Sequence, residues 1–126
     1  MGFFNFNKKD IDEQSFIKWI QLTDIIQFEE IKQASKSEAV LIFKHSTRCG
    51  ISRMVKRQFE QLFLEQHKNY KVYYLDLLNY RDISNLIATE FQVIHQSPQI
   101  LVINNENVVF NASHYDITEI DLNRFL

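Results

Sequence analysis

One cysteine, one proline and two glycines are what this 126-residue sequence has least of, and each scarcity excludes something. A lone Cys49 cannot close an internal disulfide, which agrees with a reducing compartment. The proline, Pro98, directly precedes an apolar β-like run where its missing N–H is harmless in either isomer, so a plain trans turn is the default expectation and spacing does not specify cis. Gly2 invites N-myristoylation, but Phe6 stands where the acceptor pattern wants Ser or Thr, and the reading is discounted. Charge of one sign is also lacking: 14 Lys and Arg against 16 Asp and Glu leave −2, with no global drive towards nucleic acid or anionic lipid. No apolar stretch approaches bilayer length, and the N-terminus lacks the basic, apolar, small-residue order of a signal peptide. The expectation is a cytoplasmic protein with neither nucleic-acid nor membrane partner.

What is present is a core. Apolar residues make up 45% of the chain, enough for a single domain. Residues 1–15 mix Phe, Asn and charge without a period and read as an irregular leader, and 16–126 read as the domain. Phe16 to Leu22 suggests an edge strand anchored by Trp19. Thr23 and Asp24 offer capping oxygens to a helix of about three turns through Ile25, Phe28 and Ile31. Ala39 to Phe43 is a continuous apolar run, the pattern of a central strand covered on both faces. Ile51, Met54, Val55, Phe59, Leu62 and Phe63 recur at helical spacing with Arg53, Lys56, Arg57 and Glu60 outward. A second strand (Val72 to Leu77), a short helix (Ile83 to Phe91) and a hairpin (Gln99 to Ile103, then Val108 to Phe110) follow. A polar loop, Ala112 to Asp116, leads to a terminal helix over Ile117 to Leu126. Parallel βαβ followed by an antiparallel hairpin predicts an α/β fold: a central mixed β-sheet flanked by helices on both faces.

The stretch Lys44-His45-Ser46-Thr47-Arg48-Cys49-Gly50-Ile51-Ser52-Arg53 carries the chemistry. A lone cysteine is most often a small buried hydrophobe. Here it is flanked by Arg48, Gly50 and Ser52 at a strand-to-helix turn, where unpaired backbone N–H groups and the helix dipole favour a thiolate. Ser52, three positions on, gives the spacing of a Cys-x-x-Cys pair without the resolving thiol. Such a site can form mixed disulfides but not an internal one. Lys44, Arg48, Arg53, Lys56 and Arg57 crowd the same end; a solvated basic face is the simpler reading, but beside a thiolate the cluster would also attract an acidic thiol, with Arg48 the first choice because it adjoins Cys49. His45, His67, His95 and His114 show no metal-ligand spacing with Cys49, so no metal is expected. A Cys–His hydrolase, with His45 or His114 as base, is not demanded by the spacing.

Phe43 to Ser52, Ser97-Pro98-Gln99 and Ala112 to Thr118, in that order, resemble the monothiol bacilliredoxins, thioredoxin-like proteins of the bacillithiol system. The resemblance runs from about Trp19 onward. It implies a thioredoxin-like fold, Cys49 as the attacking thiol, Pro98 as a cis-proline facing it, and a substrate-binding role for Thr47, Arg48, Gly50, Ser52 and Ser97, Ser97 through its backbone. The implied function is thiol–disulfide exchange that removes bacillithiol, or a similar low-molecular-weight thiol, from S-thiolated client proteins. Bacillithiol would be co-substrate, with its malate carboxylates recognised by Arg48, no bound cofactor, and a monomer as the expected state. The family often has Pro where Gly50 stands. Cys49-Gly50-Ile51-Ser52 also resembles the Cys-Gly-Phe-Ser signature of monothiol glutaredoxins, which carry a [2Fe–2S] cluster with a small thiol, although the Gly-Gly pair those proteins use after the hairpin is replaced by Asn111-Ala112-Ser113-His114. A thioredoxin-like interaction module without turnover is the third reading.

Overall fold

The computed structural model describes residues 15–126, so the irregular leader expected for 1–15 lies almost wholly outside the described residues. The strands are β1 (Trp19–Gln21), β2 (Val40–His45), β3 (Val72–Asp76), β4 (Gln99–Asn104) and β5 (Asn107–Ser113). The helices are α1 (Gln27–Ser35), α2 (Gly50–Leu62) and α3 (Arg81–Glu90). The sheet order is β1-β3-β2-β4-β5. β1, β3 and β2 are parallel, β4 runs antiparallel to β2, and β5 closes an antiparallel hairpin.

β2 is buried along its whole length because both of its faces are covered. Side chains alternate across a strand, so Leu41 and Phe43 meet Val55, Phe59 and Phe63 of α2 together with Ile117, Ile120 and Leu122. Val40 and Ile42 meet Phe28 and Ile31 of α1 and Ile83, Ile87 and Phe91. Trp19 ties the edge strand to the first layer: its ring lies edge-on to Phe43 (5.8 Å) and Tyr74 (5.7 Å), and its indole N–H donates to Glu60 Oε2 at 2.8 Å.

Five expectations need correction. The edge strand is three residues rather than seven: Leu22 N–H still reaches Tyr74 O (2.8 Å), but Gln27 Oε1 then captures the N–H groups of Thr23 and Asp24 and turns the chain away. α1 therefore begins at Gln27, with no side-chain cap, and Ile25 is left exposed; Asp24 Oδ1 accepts from Ile26 N instead of capping the helix. Ile51 and Met54 sit on the solvent side of α2, whose buried stripe is Ser52, Val55 and Phe59. β2 runs past the apolar stretch ending at Phe43 and includes Lys44 and His45, because both find buried partners. The last segment is not an α-helix. β5 continues through Ala112 and Ser113, and two 3₁₀ turns, His114–Glu119 and Leu122–Arg124, follow with an extended Ile120 between them. That break brings Ile117, Ile120 and Leu122 into one core at spacings that an unbroken helix would spread around its surface.

Phe59 is fully buried with its ring centroid 5.5 Å from Phe43 and 6.3 Å from Trp19 and Phe63. Phe59→Ala is expected to cost about 3–5 kcal/mol of unfolding free energy in urea titration, through lost burial and the cavity left behind.

Candidate active site

Cys49 stands where β2 hands the chain to α2. The Ser46-Thr47-Arg48 turn is closed by Cys49 N–H donating to Ser46 O (3.1 Å). Cys49 is extended (φ −99°, ψ 122°) and is the N-cap of α2, its carbonyl accepting Arg53 N–H at 3.1 Å. The thiol is half-buried and free. Gly50 follows at the first helical position, where an added Cβ would meet only Arg53 Nη2, at 3.8 Å. Space does not require glycine there.

Ser52 is fully buried, and its hydroxyl is spoken for twice. It accepts Ser46 N–H (3.1 Å) and bonds His45 Nδ1 (2.8 Å). Burial above all, then the nearby Lys56 and Arg53 cations, lowers the His45 pKa against the pull of Asp76. The ring is neutral at pH 7, and on this network the hydroxyl donates to Nδ1 while the ring proton is assigned to Nε2. His45 thus serves Ser52 through Nδ1 rather than standing as a base to the thiol.

The Ser97–Pro98 segment enters β4 next to the Cys49 turn. Register pairs Gln99 with Lys44, so Pro98 lies beside the end of β2 from which the Cys49 turn departs. The Ser97–Pro98 peptide is cis, correcting the trans default, and Pro98 is buried. Pro98 O accepts His114 N–H at 3.0 Å, which joins the third motif segment to the second. Ser97 Oγ is buried without a hydrogen-bond partner among the described residues.

The basic cluster divides. Lys44 does not belong to it: strand alternation sends its side chain to the α1/α3 face, fully buried, where Nζ donates to Ser84 O (3.3 Å) and lies 3.3 Å from His95 Nδ1. Burial pushes its pKa down to about 8. The His95 pKa is lowered by burial, then by Lys44 and Arg81, which suits Nδ1 as an acceptor. Lys44 and Gln99, whose Nε2 donates to Ile94 O (3.1 Å), grip the loop before Pro98 from beneath. Thr47 and Arg48 are exposed on the turn. Arg53, not Arg48, is tied to it, donating from Nη1 to Thr47 O (3.0 Å). Lys56 pairs with Glu60 (3.0 Å) and lies over Trp19 and Tyr74. The inward turn of Lys44, the bond from Arg53 to Thr47 O and the His45–Ser52 bond were missed; the signal for the last was a histidine and a serine seven residues apart across a strand–helix turn.

Of the other histidines, His67 is structural, accepting Leu64 N–H (3.0 Å) and contacting Asn123 Oδ1 (2.9 Å), and His114 is exposed. Among the described residues no group of three or more His, Cys, Asp or Glu is arranged to hold a metal, and no helix is long and apolar enough to cross a membrane. A cleft of about 460 Å³ runs from Thr23 to Ile25 and from Leu78 to Ile83; neither Cys49 nor Pro98 lines it.

A sequence model of the family described as monothiol bacilliredoxin BrxC matches residues 20–122. Among solved structures, a candidate oxidoreductase with a thioredoxin fold is 35% identical over 84% of this chain and 91% of its own, with a TM-score of 0.73. The thioredoxin pre-protein of Schistosoma mansoni is 18% identical over 86% of this chain and 99% of its own, at a TM-score of 0.64. Mitochondrial thioredoxin 3 of Saccharomyces cerevisiae is 16% identical over 82% and 89%, at 0.62. The last two likenesses establish the fold alone.

Two outcomes follow from this geometry. Gly50→Ala is expected to raise stability by about 0.5–1 kcal/mol in urea titration, since the site has room and the unfolded chain loses freedom. Lys44 has a folded pKa of about 8 against 10.5 unfolded, so between those values the unfolded chain binds more protons and stability rises with pH. Denaturant titrations from pH 7.5 to 9.5 are expected to show that rise in the wild type and its loss in Lys44→Met.

Proposed function

Because the chain belongs to the monothiol bacilliredoxin family, a thiol redox family, and has the thioredoxin fold, we propose that Cys49 is a catalytic nucleophile that removes bacillithiol, or a similar low-molecular-weight thiol, from mixed disulfides on client proteins. In the step as written, the Cys49 thiolate attacks the sulfur of the small thiol in the protein mixed disulfide. That S–S bond breaks, a new one joins Cys49 to the small thiol, and the client leaves as a thiolate that takes up a proton. A second small-thiol thiolate, or a dedicated dithiol reductase, then attacks the adduct, returning Cys49 and carrying the oxidising equivalent away as a new disulfide. Both sulfurs come from protein and small thiol, so the chemistry calls for no bound cofactor.

The observation that carries this reading is the fate of the resolving position. Ser52 is buried and engaged with Ser46 N and His45 Nδ1, so the Cys49 adduct has no internal thiol to displace it and must wait for an outside one. Supporting it, cis-Pro98 flanks the turn at the start of β4, with Ser97, Thr47, Arg48 and Gly50 proposed in substrate-contacting roles. A reducing compartment such as the cytoplasm suits a free thiol used in this way.

Incubating the protein with a bacillithiolated client and reading intact mass is expected to show one bacillithiol added, on Cys49, with an equal amount of client freed. Loss of both in Cys49→Ser completes the expected result. An unmodified Cys49, or client release that persists in Cys49→Ser, defeats the proposal.

A further inference from the structure

Beside the Cys49 turn, a cleft of about 240 Å³ is lined by His45, Arg53, Lys56, Arg57 and Glu60. Three permanent cations face one carboxylate there, and that carboxylate is already engaged: Glu60 Oε2 takes Lys56 Nζ (3.0 Å) and the Trp19 indole N–H (2.8 Å). Among the described residues no carboxylate pairs with Arg53 or Arg57; Arg53 bonds only the backbone oxygen of Thr47, and Arg57 is exposed. The cleft is therefore positive.

The position matters as much as the charge. Arg53 and Arg57 are one and two turns beyond Cys49 on α2, about 6 and 12 Å along its axis. Helical side chains lean towards the N-terminus, and Arg53 shows it by reaching back to the Cys49 turn. A thiol bound through sulfur at Cys49, with its carboxylates several ångströms away, spans that interval. Two adjacent guanidinium forks suit a dicarboxylate, since each can take one carboxylate in two-point contact.

We propose that the cleft between the end of β2 and α2 is the carboxylate-binding subsite for the small thiol, with Arg53 and Arg57 as its ligands. This rests on the small-thiol reading above and moves recognition of the acidic end from Arg48, which stands exposed on the turn, to the outer face of α2. The ligand class is a thiol with two carboxylates remote from sulfur, which the malate end of bacillithiol satisfies.

The test compares a client carrying bacillithiol with the same client carrying bacillithiol whose two malate carboxylates are methyl esters. Wild-type protein is expected to take the acid faster than the diester, and Arg57→Ala to cut that preference about tenfold, the scale of one charge-assisted hydrogen bond. Arg57→Lys should recover part of it. A preference equal within twofold in wild type and Arg57→Ala overturns the assignment, as does a preference lost only in Arg48→Ala. Binding is read separately by titrating Cys49→Ser with L-malate and following the arginine Nε–Hε resonances. Saturable shifts of Arg53 and Arg57, abolished by Arg57→Ala, are expected even if Cys49 proves unreactive, and their absence overturns the subsite. Failure of Cys49 to take up either thiol strikes the proposed function instead.

Discussion

The Ser52 hydroxyl is the joint on which the site depends. Its bonds to Ser46 N–H and His45 Nδ1 fasten the first turn of α2 to the last residues of β2, and Cys49 lies on the short path between those two anchors. With both ends held, the backbone of the turn closed by Cys49 N–H to Ser46 O is tied at the end of β2. A buried hydroxyl with its accepting and donating capacity both used is a strong local constraint, because loosening it strands polar atoms away from water.

The same logic runs to either side of the sheet. Lys44 and His45 are consecutive, and strand alternation sends them to opposite faces. His45 turns towards α2 and fixes the Cys49 side through Ser52. Lys44 turns towards α3 and, with its strand neighbour Gln99, holds the loop that delivers Pro98. Two buried polar residues at the end of one apolar strand thus hold both the Cys49 turn and the Pro98 loop. Their cost in desolvation is visible in the lowered pKa of each.

These dependencies explain which parts of the molecule could be read from sequence. β2 announced itself as an unbroken apolar run because it is covered twice, and α2 by its three-and-four spacing. The β4–β5 hairpin showed in the Asn104-Asn105-Glu106-Asn107 turn, where the positive φ values of Asn105 and Glu106 fall. The C-terminal segment misled because the three-residue interval between Ile117 and Ile120 suits a helix, whereas Leu122 joins the same core only through the extended break at Ile120. Ile51 and Met54 misled because they share the three- and four-residue spacing of the helix without lying on its buried stripe of Ser52, Val55 and Phe59. Within the site, Cys49 was legible from its scarcity and its polar flanks. Lys44 and His45 were not, because their partners Ser84, His95 and Ser52 are brought to them only by the fold. The isomer of Pro98 came from resemblance alone. Arg48 was favoured over Arg53 by adjacency along the chain, yet a residue one turn into a helix reaches back over the preceding loop, whereas its immediate neighbour can point to water.

A monothiol site is easily pictured as a dithiol site with one sulfur deleted. The bonding of Ser52 argues otherwise. A thiol at that position is a weak donor and acceptor, and could not hold Ser46 N–H and His45 Nδ1 as the hydroxyl does. The serine is therefore a part of the scaffold that presents Cys49. On the proposed function, an adduct on Cys49 would wait for an external thiol, and the surface around it would have to distinguish one small thiol from another. The turn contributes an exposed Arg48, the segment entering β4 contributes Ser97 and Pro98, and the side of α2 next to the end of β2 contributes a cleft where positive charge is left uncancelled.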